Sequence, residues 1–133
     1  MFAIRRTALG ALVAAAVSLA LAGPANAQNV IGGYQAFIGT ADLYNSKGAA
    51  LSAPWQVIRQ DRANVHRFGI QQTGDQWDAW FGSAENRAAL ESWVMNGAMS
   101  ASARARIMSG GATIQVDILG QGNTASGVRL TVY

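Results

Sequence analysis

The chain has 133 residues, half of them hydrophobic, with ten Lys+Arg against seven Asp+Glu, one histidine and no cysteine. The absence of cysteine excludes a disulfide scaffold, thiol catalysis and zinc sites built on thiolates. Length and apolar content suit one domain around one core.

Residues 1–27 read as a cleavable signal peptide: Arg5 and Arg6, an apolar run from about Ala8 to Ala22, then Ala25 and Ala27 as the small residues a signal peptidase requires. Cleavage is expected after Ala27, giving a periplasmic or secreted chain. The alternative, a retained membrane anchor, is disfavoured because the run is alanine-rich and shorter than the roughly 20 residues a spanning helix needs. The Arg5-Arg6 pair matches a twin-arginine signal only weakly. Residues 28–133 then form a single globular domain with no membrane span. Eight basic residues against seven acidic leave it a net charge of +1, so no basic stripe argues for nucleic acid.

Gln28 to Gly33 reads as an irregular lead-in, and Tyr34 to Tyr44 as a first strand ending at the Asn45–Gly48 turn. Ser52 as N-cap and Pro54 in the first turn open a helix from about Ala53 to Arg67, with Gly69 as its stop. Further on, Asp75 and Asp78 look like first-turn helix carboxylates, and Trp77, Trp80 and Phe81 fall at i, i+3, i+4. Gly82 and Ser83 break and recap this segment, and Leu90, Trp93 and Val94 continue it to Gly97. A third helical piece is capped by Ser100 and ends at Gly110-Gly111.

The last elements alternate strictly. Ala112, Ile114, Val116 and Ile118 share one face, as do Val128, Leu130 and Val132, and the glycine-rich stretch between them predicts an antiparallel hairpin. A lone hairpin is marginal in water. The expected fold is therefore α+β, a small antiparallel sheet of the N-terminal strand plus the C-terminal β-hairpin, packed on one face by two to three helices.

The densest polar stretch is Val57–Ile70. On a helix, Trp55, Arg59, Arg62 and His66 share a face, while Arg67 and Asp61 point elsewhere. Two guanidinium forks beside a histidine and an indole could hold a carboxylate, a phosphate or a sugar acid. Against this stands the plainer reading that the arginines are a solvated helix rim, their stems covering Trp55, with His66 at the helix C-terminus. Opposite charge on segments 57–67 and 75–91 also predicts that the two helices face each other through ion pairs.

Other chemistry is less supported. His66 as a general base would need an orienting carboxylate and a nucleophile, and no GxSxG elbow is present. One histidine and no cysteine leave only oxygen ligands, without the density of a calcium loop, so no metal and no cofactor are expected. The glycines of "LGQGNTASG" precede a strand and not a helix, which argues against a phosphate cradle. The tryptophans at helical spacing read as core, with one of them partly exposed. The leading expectation is an exported, non-enzymatic binding domain that recognises a protein or an anionic envelope component through Arg59, Arg62, His66 and Trp55. The alternatives are a small hydrolase or lyase using His66, and a structural subunit of an envelope assembly docking through its strand edges.

Overall fold

The structure is a computed structural model and describes residues 28–133. The expected signal peptide, residues 1–27, lies outside the described residues. The elements follow in the order β1 (Asn29–Ile38), a 3-10 turn (Thr40–Leu43), α1 (Pro54–His66), α2 (Ala84–Asn96), α3 (Ala101–Ser109), β2 (Ala112–Gln121) and β3 (Thr124–Val132). The sheet is antiparallel in the order β1-β2-β3, with the three helices against one face, so the chain has the small α+β fold its sequence implies.

Alternation determines which side chains meet. Tyr34, Ala36 and Ile38 of β1 lie opposite Val116, Ile114 and Ala112 of β2, and all six are buried. Val57 and Ile58 of α1, Phe81 before α2, Leu90 and Val94 of α2, and Ile107 of α3 close over them. Each large aliphatic or aromatic side chain so covered contributes about 1.5–3 kcal/mol. The tryptophans are not in this core. Trp55, Trp80 and Trp93 are half-buried around its rim, and Trp77 is 66% exposed. Their helical spacing was a misleading sign of burial.

Three boundaries differ from expectation. The first strand begins at Asn29, so the lead-in is sheet, and it ends at Ile38, where the Asp42 carboxylate accepts from the Gly39 N–H and winds the chain into the 3-10 turn. Ala53, not Ser52, is the N-cap of α1: Gln56 Oε1 reaches back to the N–H groups of both residues, a side-chain cap supplied from inside the helix. Residues 75–82 are not helical. There Asp75, Gln76 and Asp78 bond to backbone N–H groups of β1 and of the segment itself, and this competes with helix formation.

The other signals hold. Ser83 and Ser100 cap α2 and α3 by accepting from Asn86 and Ala103, each at 3.1 Å. Gly97 ends α2, and Gly122, at φ 56°, opens the two-residue turn of the β2–β3 hairpin, a Gly-first pattern that suits strand twist. Gly32 matters for space: a Cβ there would fall 2.5 Å from Trp80 Nε1, so the indole packs on bare backbone beside the bulge in β1. Among the described residues, no helix is long and apolar enough to cross a membrane.

Candidate functional site: an arginine-lined cleft

The apolar stripe of α1 runs through Pro54, Val57, Ile58, Asp61 and Arg62, the i, i+3, i+4, i+7, i+8 positions of one face. Two charged residues therefore stand where the helix meets the core. Arg62 is 0% exposed and is the largest fully buried side chain. Its Nε donates to Asp61 Oδ2 at 2.8 Å, and its Nη1 donates to Asp78 Oδ1 at 2.8 Å and to the Gln76 carbonyl at 2.9 Å. Its guanidinium carbon lies 3.8 Å from the centre of the Tyr34 ring.

Asp78 is the acceptor that organises this region. Beyond Arg62, it takes His66 Nε2 at 2.7 Å on Oδ1 and the N–H groups of Trp80 and Phe81 on Oδ2. Burial pushes its pKa up, but the hydrogen bonds from His66, Arg62 and the Phe81 N–H outweigh that and hold it below the usual carboxylate range. Asp61 has the opposite balance. Burial, opposed by Arg62, pushes its pKa up to about 8. Its Oδ1, the Tyr34 hydroxyl and Arg62 Nη2 are buried with no partner among the described residues.

The four residues expected to share a binding face are thus divided. Arg62 is internal and cannot touch a ligand on the surface. His66 has a side chain only 6% exposed, faces Asp78, and packs edge-on to Trp77 at 5.6 Å between ring centres. Trp55 is covered by Arg104 of α3, whose guanidinium carbon lies 5.5 Å from its ring centre. Arg59, by contrast, lines an open concavity. A wheel drawn from spacing treats Arg59 and Arg62 as neighbours, but one lies on the flank of the buried stripe and the other within it.

That concavity lies between α1 and α2, with a volume of about 290 Å³. Arg59, Arg67 and Arg87 line it together with Gln56, Gln60 and Glu91. Arg59 pairs with Glu91 across the helices, the interhelical ion pair that the charge pattern predicts. Arg87 is 6% exposed, and its Nη1 is held by the carbonyls of Phe81 and Gly82 at 3.1 and 3.0 Å. Burial first, then the charges of Arg59 and Arg67, lower its pKa from the ordinary arginine value. Three cations thus surround one carboxylate. Among the described residues, no acidic side chain lies within ion-pair distance of Arg67 or Arg87.

The first turn of α2 adds to the same field, because Ala84 lines the cleft and a helix N-terminus carries partial positive charge. Chemically, the cleft presents guanidinium forks of the geometry that matches carboxylate and phosphate oxygens. Sequence reasoning set Arg67 aside and overlooked Arg87. A signal for Arg87 was present: it stands four residues before Glu91 on the helix face that the charge pattern turned toward α1. No protein-family model matches the chain, and neither does any curated protein or solved structure.

Proposed function

We propose that this chain is an exported, non-enzymatic binding domain that takes an anionic group, a carboxylate or phosphate of a protein or envelope component, into the cleft between α1 and α2. The observation that supports this reading is the gathering of Arg59, Arg67 and Arg87 around one concavity with Glu91 as the sole acidic lining residue among the described residues. A fixed guanidinium such as Arg87, held by two carbonyls, loses little freedom on binding.

Titration of the purified protein with inorganic phosphate or sulfate, followed by amide NMR shifts, tests it. Saturable shifts are expected in residues 56–68 and 84–91. Arg67→Gln should weaken binding about tenfold, the ~1.4 kcal/mol of one charge-assisted contact. Glu91→Gln should tighten it, because Arg59 is then released from its internal partner. His66→Gln should leave it unchanged. Shifts that never saturate, or that respond to His66→Gln and ignore Arg67→Gln, would sink the cleft as the site.

A hydrolase or lyase using His66 has one observation in its favour, the His66–Asp78 contact at 2.7 Å. That carboxylate also serves Arg62 and two backbone N–H groups, as a structural anchor does. His66 accordingly belongs to the scaffold.

A further inference from the structure

The two edges of the sheet are finished differently. On β1 the outward-facing groups of Gln35 and the Phe37 N–H are occupied: the Gln35 N–H donates to Gln76 Oε1, the Gln35 carbonyl accepts from the Gln76 N–H, and the Phe37 N–H donates to Asp75 Oδ1, at 2.8–2.9 Å. On β3, the Tyr133 N–H donates inward to the Thr113 carbonyl, which sets the alternation of the ladder. Arg129 and Thr131 therefore bond to β2, and the N–H and C=O groups of Val128, Leu130 and Val132 face away from it. No described residue hydrogen-bonds to them there.

The side chains of the same three residues lie on the helix-covered face but are not fully covered. A groove of about 320 Å³ lined by Trp93, Met99, Val128 and Leu130 follows the strand, and a second of about 280 Å³ continues past Met99 and Leu130 to Val132. An open edge beside an apolar groove is the geometry of strand addition.

We propose that β3 is a homodimerisation edge: two copies pair β3 to β3, antiparallel, about a two-fold axis at Leu130, making one six-stranded sheet. A second copy is the occupant because residues 127–133 are complementary to themselves in this register. On the groove face Leu130 meets the partner's Leu130, and Val128 meets the partner's Val132. On the other face Arg129 lies opposite the partner's Thr131, so no arginine faces an arginine. Tyr133, 57% exposed, lies over the partner's Gly127, where a ring has room. Competing registers are worse. An axis at Arg129 opposes two guanidiniums, an axis at Val128 sets Ser126 and Thr124 against Leu130 and Val132, and an axis at Thr131 shortens the paired run.

Sedimentation velocity of the purified protein over a concentration series is the test, and a dimer is expected. Leu130→Pro deletes an N–H that points away from β2, so it should keep the circular dichroism of the wild type and sediment as a monomer. Because the chain has no cysteine, Leu130→Cys should crosslink to itself under mild oxidation while Val128→Cys should not. If Leu130→Pro fails to fold, the cysteine pair decides alone. A wild type that is monomeric at every concentration overturns the proposal, as does one purified with an unrelated peptide on β3. A dimer that survives in folded Leu130→Pro, or that crosslinks through Val128→Cys and not Leu130→Cys, overturns it equally.

Discussion

Asp61, Arg62 and Asp78 place two carboxylates around one guanidinium in the interior. Two ionised carboxylates would leave a negative charge uncompensated, so one of them holds a proton more readily than it does in water. Asp78 receives two backbone N–H groups and His66 beside the arginine, whereas Asp61 receives only Arg62 Nε and has a bare Oδ1. The proton therefore belongs to Asp61, in line with its rise to about 8. A carboxyl whose folded pKa is raised binds its proton more tightly in the folded state. Its contribution is full below the unfolded value of about 3.9 and is lost as pH climbs toward 8. Asp78, shifted down, acts in the opposite sense and loses its contribution only as pH falls below the ordinary carboxylate range. Urea denaturation at a series of pH values from 5 to 9 should thus show stability declining with pH, by at most about 1.4 kcal/mol per pH unit. Asp61→Asn should flatten that decline, since the amide keeps an acceptor for Arg62 Nε and cannot ionise. An equally steep decline in the variant would place the proton elsewhere, with Asp42, also raised by burial, as the next group to test.

The segment between α1 and α2 shows how a helix signal can be outbid. Trp77, Trp80 and Phe81 have helical spacing, yet Asp75 bonds to the Phe37 N–H and Gln76 to Gln35, so these side chains bind part of the edge of β1 and the local chain is irregular and not helical. Asp75→Ala should strand the part-buried Phe37 N–H, at a cost of about 1–3 kcal/mol. Faster hydrogen exchange at Phe37, with Ile114 amide protection in β2 falling only by the global loss of stability, would be the signature. Exchange at Phe37 unchanged from wild type would show that Asp75 is dispensable to the edge. Elements whose information is local were legible in the sequence: the alternation of residues 112–118, the Ser100 cap and the Gly97 stop each became what their residues predicted. The site was less legible, because its geometry depends on partners far away in the chain. The spacing of α1 alone could not reveal that Asp78, sixteen residues on, returns to meet Arg62. A closer reading of the stripe had one clue to offer, since Asp61 and Arg62 stand four residues after Val57 and Ile58 and so inherit their burial.

Across the whole molecule, Arg62 joins its own helix α1 to two parts of the architecture that no disulfide links: β1 through the face of Tyr34, and the segment before α2 through Gln76 and Asp78. A domain of this size has about 5–15 kcal/mol of net stability, so one buried ionic centre can decide whether it folds. Arg62→Met keeps much of the volume but leaves the ionised Asp78 without its cation and Asp61 without the Nε donor it accepts from, and removing one partner of a buried pair typically costs about 3–5 kcal/mol. Since the loss arises from the stranded Asp78 carboxylate and not from missing bulk, it should be partly reversible by a second change. Asp78→Asn in the Arg62→Met background should recover a measurable share of the midpoint lost in urea, more than the same change does in the wild-type background. The coupling in this double-mutant cycle is the quantity to measure, because residues in one ionic network depart from additivity by about 0.5–3 kcal/mol. Additive losses would mean that Arg62 stabilises the fold mainly by packing against Tyr34. Recovery would mean that its charge holds the sheet, α1 and the loop before α2 in place, and with them the wall of the cleft where Arg59, Arg67 and Arg87 converge.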